Sequence, residues 1–318
     1  MNLRWEHLRV TDAGAWSELS ETIAAADRHT WIVSAESAAG RLTAPGFDPA
    51  LDSWAVWDGD KLVAYATSTV GSTPRFDGKA HAFLSGGVHP DWRGLGIGTE
   101  LIAKVEKRAT TALKEKYPNI PTVLFIESGD DQDPALALLQ DNGFTASRRF
   151  HDMERGLPTV DEFRDLSQPR PGISVRPPTK ADQEQVRLAH NDAFQTHWGS
   201  APSTALEWSQ QYNDETSNLG LSRIAVDDKG RVLAYAMVSN RTAERPYVEL
   251  VGSRQEARGM GLGRVTLSEY LRALANDPIA RHTALDVDAE NPFGAARLYQ
   301  DLGFKIIRTW SAMEKPLS

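Results

Sequence analysis

Short apolar runs separated by polar turns occur twice along the chain, in the same order. Residues 55–66 consist of an apolar stretch, a polar turn and a second apolar stretch, and residues 225–236 align with them without a gap. This pattern predicts a β-hairpin at each place. After each hairpin the spacing of the apolar residues becomes helical. The residues that show it are Leu101, Ile102, Val105 and Ala109 in the first stretch and Leu267, Tyr270, Leu271 and Leu274 in the second.

Two further matches keep the same order. The hexapeptide RGLGIG at 93–98 corresponds to RGMGLG at 258–263, and each follows a strand-like run and precedes the helical pattern. Later, Gly-Phe at 143–144 and at 303–304 is followed in both places by Met-Glu. Strands alternating with helices predict an α/β or α+β domain, present here in two copies. The strands predicted around the turns are 82–88, 123–127, 247–252 and 283–287.

The junction between the two copies is predicted in the sequence SQPRPG at 167–172. Two prolines and a glycine interrupt periodic structure there, and no apolar pattern continues across it. We therefore expect a first domain at 1–167, a linker at 168–172 and a second domain at 173–318. Each domain is long enough to enclose its own core.

Composition and charge narrow the classes of function. The 318 residues include 35 Lys and Arg against 43 Asp and Glu, a net charge of −8. Because nucleic acids and anionic membranes favour a positive surface, we expect neither as a partner. The sequence has no cysteine, which excludes a disulfide framework, a thiolate nucleophile and Cys-ligated zinc. No metal site is predicted.

Two expectations concern location and assembly. The chain has no run of 18 apolar residues, and its first ten residues carry charges where a signal peptide needs an apolar core. We therefore expect a cytoplasmic protein. Since two joined copies can pack as a pseudo-dimer, a monomer is expected.

Each glycine-rich hexapeptide is predicted to connect a strand to a helix. Backbone N–H groups at the start of a helix bind anions, and glycine lets phosphate oxygens approach closely. An ordinary tight turn is the alternative, but two copies in equivalent places count against it. The lysine of a P-loop is missing from both turns, and Thr99 and Arg264 stand where a dinucleotide-binding turn has its third glycine.

Both turns fit the pattern Arg-x-x-Gly-x-Gly, and here the chain resembles the GNAT superfamily of acyl-CoA-dependent N-acyltransferases. Residues 88–98 (VHPDWRGLGIG) follow the family pattern almost throughout, whereas the second copy departs from it at Ser253 and Arg254. The duplication is similar to that of the mycothiol synthase group. The resemblance implies two tandem GNAT-like domains, each a mixed, mostly antiparallel sheet flanked by helices, with acetyl-CoA as co-substrate.

The resemblance also implies that the amides of the turns hold the pyrophosphate of coenzyme A. The expected cofactor-binding residues of the first copy are Val88, Arg93, Gly94, Gly96, Ile97 and Gly98. Those of the second copy are Val251, Arg258, Gly259, Gly261, Leu262, Gly263, Arg264 and Asn291. Alternatively, Asn291 caps the helix that follows it, and Arg258 and Arg264 are solvated at the surface.

The family places a tyrosine on the helix after the fifth strand, where it protonates the departing thiolate. Tyr299 matches that position, whereas the first copy has Leu139 there. Glu249, on the strand before the second turn, is the predicted general base, and the corresponding strand at 82–87 has no carboxylate. A backbone N–H at 250–252 is expected to stabilise the oxyanion. The second domain is thus expected to be catalytic and the first degenerate. Alternatively, Tyr299 packs against the sheet and Glu249 is a surface carboxylate.

The acceptor site is expected among the first helices of the second domain, at 180–212. His197 and Trp198 are the candidate acceptor-binding residues, because an aromatic face attracts a cationic amine. A tryptophan of the core or of an interface is the alternative. The predicted function is transfer of an acetyl group from acetyl-CoA to the primary amine of a small molecule, by direct attack on the thioester. A non-catalytic protein that binds or senses coenzyme A, and an acetyltransferase for a peptide or protein amine, remain open.

Overall fold

The structure, a computed structural model, describes residues 2–27, 32–129, 133–157, 159, 162 and 170–317. The chain divides into two compact units. Unit 1 comprises Met1–Pro74, Gly78–Arg148 and Trp310–Ser318, and unit 2 comprises Arg75–Asp77 and Arg149–Thr309. The end of the predicted first domain and part of the predicted linker lie outside the described residues, so that boundary remains a prediction.

Both sequence repeats give nearly the same order of elements. Those of the first repeat are β1 (Leu3–Glu6), α1 (Ala13–Asp27), α2 (Ala35–Leu42), α3 (Pro49–Asp52), β2 (Ser53–Asp58), β3 (Lys61–Val70), β4 (Ala80–Val88), α4 (Ile97–Lys116), β5 (Thr122–Ser128), α5 (Pro134–Asp141) and β6 (Thr145–Gly156). Those of the second are β7 (Ile173–Arg176), α6 (Gln183–Ala193), α7 (Ala205–Tyr212), β8 (Arg223–Asp227), β9 (Val232–Thr242), β10 (Arg245–Ser253), α8 (Leu262–Leu274), β11 (His282–Asp288), α9 (Ala295–Asp301) and β12 (Lys305–Leu317).

The predicted hairpins are present as β2–β3 and β8–β9, both antiparallel. The two predicted helices are α4 and α8, and each buries its apolar stripe against the sheet of its unit. Removing these side chains from water is the main source of stability in each core. Among the described helices, none has the length and apolar character needed to cross a membrane.

Each unit contains a mixed sheet. The strand order is β1-β2-β3-β4-β5-β12 in unit 1 and β6-β11-β10-β9-β8-β7 in unit 2. The pair β4–β5 and the pair β10–β11 are parallel, and the other pairs described within the units are antiparallel. This confirms the expected fold of two GNAT-like sheets flanked by helices.

The last strand of each repeat pairs with a strand of the other repeat. In β6, Met153 pairs with Leu285 of β11, and in β12, Met313 pairs with Ile126 of β5. Met153 is fully buried in the core of unit 2, and Met313 is fully buried in the core of unit 1. The chain thus passes from unit 1 to unit 2 within β6 and returns within β12. The sequence repeat predicts both Met-Glu pairs but not this exchange.

Candidate active site

Both glycine-rich turns have the same backbone conformation. Gly94 and Gly96 have φ angles of 74° and 80°, and Gly259 and Gly261 have φ angles of 74° and 76°. Because residues with a Cβ rarely adopt these left-handed values, the turns need glycine. A Cβ built on any of the four meets no atom within 4 Å, so open space lies beside each turn. α4 and α8 begin directly after the turns, and their first N–H groups have no partner within the helix. Both turns can therefore hold an anion.

Other predicted residues of the turns pack the helices in place. Gly98 allows close packing, because a Cβ there would lie 2.8 Å from Cδ2 of Leu138 on α5. At Gly263 the space is wider, since a Cβ would lie 3.6 Å from Oγ of Ser253. The residues that are buried in a core or pack against one are Val88, Ile97, Val251 and Leu262.

The arginine of the first turn is held by protein groups. Both terminal nitrogens of Arg93 lie 2.7 Å from the carboxylate oxygens of Asp27, the last residue of α1, and its Nε donates to the carbonyl of Val88 at 3.1 Å. Such a bidentate pair fixes the guanidinium in one orientation. Arg93 thus ties the first turn to α1.

The arginines of the second turn also contact protein. Arg258 donates to the carbonyl of Ala193 at 2.9 Å, and its guanidinium lies 4.0 Å from the centre of the Phe293 ring. Arg264 forms an exposed ion pair with Asp301 at 2.6 Å. An exposed ion pair is weak, so Arg264 can exchange this partner for a phosphate at little cost. Binding of a phosphate by either arginine stays a prediction.

β10 and β11 diverge at the centre of unit 2. Their parallel pairing ends at Val248 and Leu285, and we call the region beyond these residues the splay. Glu249 and Asp286 are the first residues of the splay on each strand. The register of β10 with β9 shifts between Val248 and Leu250, which places a β-bulge at Glu249. A bulge leaves backbone groups outside the regular hydrogen-bond ladder. Backbone N–H and C=O groups of β10 at the bulge can therefore form hydrogen bonds with a ligand.

The corresponding strand of unit 1 lacks this irregularity. β3 and β4 pair without a register shift from Ala64↔Val88 to Val70↔Ala82. The residue at the place of Glu249 is Leu84, which is 1% exposed and belongs to the core. Unit 1 therefore has neither the bulge nor the carboxylate that unit 2 has at this strand.

The predicted general base is held by its neighbours. Arg241 of β9 binds both carboxylate oxygens of Glu249, with its Nε 2.8 Å from Oε1 and its terminal nitrogen 2.7 Å from Oε2. The hydroxyl of Ser239 also donates to Oε1. A carboxylate has about four lone pairs that accept hydrogen bonds. These three bonds leave one lone pair on Oε2 for a further donor, so Glu249 is oriented but not fully occupied.

The predicted general acid, Tyr299, lies on α9 and is 6% exposed. Its ring contacts Phe304 edge-on with centres 6.2 Å apart. Among the described residues, none forms a hydrogen bond with its hydroxyl. Burial, and then the negative charge of Asp286, raise the pKa of this phenol well above its ordinary value, so it stays protonated. The equivalent residue in unit 1 is Leu139, buried on α5.

Asn291 holds the loop between β11 and α9. Its side-chain oxygen accepts a hydrogen bond from the N–H of Phe293 at 2.9 Å, and its own N–H donates to the carbonyl of Asp288 at 3.1 Å. Asn291 does not cap the helix, which was the alternative from the sequence, because α9 begins at Ala295 with Gly294 as its N-cap; its bonds form a turn ahead of the helix instead. Contact of Asn291 with the cofactor stays a prediction.

The candidate acceptor residues His197 and Trp198 follow α6. Nδ1 of His197 lies 3.0 Å from the carbonyl oxygen of Trp198 and 3.1 Å from Oγ of Ser200. The Trp198 ring attracts a cation from the protein itself, since the guanidinium of Arg75 lies 5.1 Å from its centre. The Phe150 ring lies 6.2 Å away. The structure therefore does not bring these two residues together with Glu249 and Tyr299 through any described contact.

A polar group on β6, β10 and β11 was missed by the sequence analysis. The hydroxyl of Tyr247 donates to Oδ1 of Asp286 at 2.8 Å, and Asp152 of β6 is the direct register partner of Asp286. Burial, and then the charge of Asp152, raise the pKa of Asp286, although its side chain is accessible to solvent. The signal in the sequence is an acidic residue between Leu285 and Val287 in an apolar strand.

The sequence analysis also missed a pair that joins β9 and α6. The hydroxyl of Tyr235, a fully buried residue, lies 2.8 Å from Nδ1 of His190 on α6. A Cβ at Gly252 would lie 2.4 Å from the Tyr235 hydroxyl, so this glycine makes room for the phenol. Burial lowers the pKa of His190 to about 4, which keeps its imidazole neutral.

The profile of the Acetyltransferase (GNAT) family matches residues 15–144 and 184–304, one stretch in each repeat. The two matches cover more than half of the chain, so the chain belongs to the GNAT family and is an N-acetyltransferase.

Named relatives agree with this assignment. A mycothiol acetyltransferase of Mycolicibacterium vanbaalenii is 30% identical over 230 residues, which are 70% of this chain and 70% of the relative. One of Kineococcus radiotolerans is 30% identical over 221 residues, covering 68% of this chain and 67% of the relative. The chain is therefore a tandem GNAT similar to the mycothiol acetyltransferases.

Solved structures share the fold. A GCN5-related N-acetyltransferase from Sphaerobacter thermophilus has a TM-score of 0.76 at 24% identity, covering 99% of this chain and 95% of that one. A tandem GNAT protein from the clavulanic acid biosynthesis pathway has a TM-score of 0.70 at 20% identity, covering 99% and 98%. At these identities they support the tandem fold alone.

Proposed function

We propose that unit 2 transfers an acetyl group from acetyl-CoA to the primary amine of a small molecule, by direct attack of the amine on the thioester. The observation that carries the proposal is the splay. Glu249 and the bulge lie at its start, and β10 leads directly from it to the open turn at Gly259 and Gly261. A pyrophosphate at the turn and a thioester in the splay would thus be held by one strand and the loop after it.

The second turn would hold the pyrophosphate of coenzyme A through its N–H groups. Gly259 and Gly261 supply the left-handed conformation, and Arg258 and Arg264 lie beside them. An N–H of Leu250, Val251 or Gly252, next to the bulge, would donate to the oxyanion that forms during attack. The other cofactor contacts proposed in this unit are Leu262, Gly263 and Asn291.

Two side chains would move the protons. Glu249, oriented by Arg241, would accept the proton of the amine on the remaining lone pair of Oε2, directly or through a water. Tyr299, which its burial keeps protonated, would donate to the departing thiolate. As the C–N bond forms and the C–S bond breaks, both groups stabilise charge that develops only in the transition state.

The first turn has the same open conformation, so we propose that it also holds coenzyme A. Its residues would be Val88, Arg93, Gly94, Gly96, Ile97 and Gly98. Because unit 1 has Leu84 and Leu139 at the places of the carboxylate and the phenol, it would not catalyse the reaction. The chain would then have one catalytic unit, unit 2, and one unit that only binds coenzyme A, unit 1.

The test is a turnover assay of the full chain with acetyl-CoA and a panel of primary amines. The release of free thiol is the measured signal. We expect thiol release that depends on a small amine. Binding of acetyl-CoA without turnover of any amine would instead support a non-catalytic coenzyme A-binding protein. Turnover with peptides but not with small amines would support a peptide acetyltransferase.

A further inference from the structure

Phe293 is the only exposed aromatic side chain among the residues that the structure describes. It lies in the loop between β11 and α9, is 57% exposed and belongs to none of the core clusters. A single exposed apolar residue is common on protein surfaces and carries no meaning by itself. What distinguishes Phe293 is the group that covers one face of its ring.

The ring lies against the second glycine-rich turn. The guanidinium of Arg258 lies 4.0 Å from the centre of the Phe293 ring, and Arg258 directly precedes Gly259, which has a left-handed conformation in the turn. A residue of the turn thus covers one face of the ring. Since more than half of Phe293 is still exposed, the opposite face of the ring is open to solvent.

The backbone on both sides of this contact is held in place. The N–H of Phe293 donates to the side-chain oxygen of Asn291 at 2.9 Å, and Gly294, with a φ angle of 73°, is the N-cap of α9. Arg258 donates to the carbonyl of Ala193, the last residue of α6, at 2.9 Å. A flat group that stacks on the open face therefore meets a loop that is already ordered, and its binding loses less conformational entropy.

Arg258 connects the ring to the anion site of the turn. A guanidinium has five N–H donors, and in the contacts of the described residues Arg258 uses one of them, on Ala193. The other donors can bind a phosphate at the turn while the flat side of the guanidinium packs on the ring. An open turn for an anion, donors for a phosphate and a free aromatic face thus lie side by side. This combination fits a ligand that carries phosphate close to a flat ring, which is a nucleotide.

We propose that the open face of Phe293 stacks on the adenine ring of coenzyme A and thereby selects donors that carry a nucleotide base. The inference rests on the proposed function of unit 2 and adds a specificity-determining residue to it. In coenzyme A a single ribose separates the pyrophosphate from the adenine, so a pyrophosphate on the N–H groups of the turn leaves the base close to Phe293. Aromatic side chains bind nucleotide bases by stacking, because every base has a flat π face. A thioester on the phosphopantetheine arm of a carrier protein has no base and gains nothing from this ring.

The first repeat has no ring at the corresponding place. Ten residues before the Gly-Phe pair, where the second repeat has Phe293, the first has Asp133. Its carboxylate accepts hydrogen bonds from the N–H of Ala135 at 2.8 Å and from the N–H of Gly129. The arginine of the first turn, Arg93, is paired with Asp27 instead of an aromatic ring. Dependence on the base is therefore expected of unit 2 and not of unit 1.

The experiment measures kinetics at a saturating amine for the wild-type chain, Phe293→Ala, Phe293→Leu and Phe293→Trp. The donors are acetyl-CoA, 3′-dephospho-acetyl-CoA, which keeps the base, and S-acetyl-4′-phosphopantetheine, which lacks it. We expect Phe293→Ala and Phe293→Leu to raise the KM of the two donors with a base about tenfold at unchanged kcat. Phe293→Trp should keep the wild-type KM, and the KM of S-acetyl-4′-phosphopantetheine should be equal in all four proteins. Thermal unfolding checks that each variant is folded.

Leu206→Ala is the matched control, because Leu206 is a 63% exposed apolar residue on α7 of the same unit. It should change none of these values. The inference is overturned if Phe293→Ala changes the KM of acetyl-CoA no more than Leu206→Ala does, or if Phe293→Leu keeps the wild-type KM. It is also overturned if Phe293→Ala raises the KM of all three donors equally, since that result indicates a structural role of the ring.

Calorimetry with coenzyme A and with 4′-phosphopantetheine separates this inference from the proposed function. If no amine is acetylated but Phe293→Ala weakens the binding of coenzyme A at one site and leaves that of 4′-phosphopantetheine unchanged, the proposed function fails and the stacking stands. If coenzyme A binds the wild-type chain and Phe293→Ala equally, or binds neither, the stacking is wrong.

Discussion

Asp152 and Asp286 are direct partners in the antiparallel pairing of β6 and β11, although they belong to different sequence repeats. Their repulsion contributes to the raised pKa of Asp286. A carboxyl group with a raised pKa in the folded state binds its proton at higher pH than it does in the unfolded chain. Its favourable contribution is therefore present at low pH and is lost as the pH rises through the folded-state value.

We therefore expect Asp286→Asn to stabilise the ligand-free chain at neutral pH, by about 0.5 kcal/mol. The gain should shrink toward pH 5, where the wild-type carboxyl is closer to its protonated form. Thermal unfolding of both proteins between pH 5 and pH 8 measures it. A variant that is less stable than the wild type at pH 7, or a difference that does not depend on pH, would contradict this account.

Tyr299→Phe removes only the buried hydroxyl, so we expect kcat to fall about 100-fold while the acetyl-CoA dissociation constant stays unchanged. The control is Tyr270→Phe, since Tyr270 is also buried in unit 2 but its hydroxyl lies 2.6 Å from that of Thr283. That variant should lose stability and keep its kcat. An equal kcat for both variants would remove Tyr299 from the role of acid.

The two glycine-rich turns allow a matched test of cofactor binding. Gly96→Ala and Gly261→Ala force a Cβ into the same left-handed conformation, at a similar strain of about 1 kcal/mol. We expect calorimetry to show two acetyl-CoA sites in the wild-type chain. Each variant should weaken one of them about tenfold, and only Gly261→Ala should slow turnover. A single site in the wild-type chain, or slower turnover in Gly96→Ala, would be incompatible with one catalytic and one binding unit.

The elements of the fold could be predicted because each depends on local pattern. The β2–β3 and β8–β9 hairpins, the glycine turns and the stripes of α4 and α8 all follow from the spacing of apolar residues and glycines. The exchange of β6 and β12 between the two units could not be predicted from the sequence. Met153 and Met313 are each followed by Glu in a strand at the end of a repeat, so either strand fits either sheet by pattern alone. Which one it joins depends on contacts between distant parts of the chain.

The site shows the same limit. The positions of Glu249 and Tyr299 follow from motifs, but the partners that orient or bury them come from other elements. Arg241 on β9 and Asp286 on β11 contribute charges that no spacing predicts. Likewise, the pairing of Arg93 with Asp27 across two elements could not be inferred from the turn in which Arg93 lies.

Glu249→Gln keeps the shape of the proposed base but cannot accept a proton, so we expect kcat to fall about 100-fold. Arg241→Gln should lower kcat less, because it loosens the orientation of Glu249 without removing the carboxylate. Steady-state kinetics with a saturating amine measure both. If Arg241→Gln lowers kcat more than Glu249→Gln does, the guanidinium of Arg241 and not the carboxylate of Glu249 is the group that the reaction needs.

His190 gives unit 2 a sensitivity to acid. Its pKa is lowered to about 4, first by burial and then by His197, whereas in the unfolded chain it has the ordinary value near 6.5. The unfolded chain therefore binds the proton first, and stability falls as the pH drops from about 6.5 to about 4, by up to about 3 kcal/mol. His190→Gln, which can still bond the Tyr235 hydroxyl, should flatten this part of the curve of unfolding free energy against pH. Parallel curves for the wild type and His190→Gln would show that this imidazole is not buried in its neutral form.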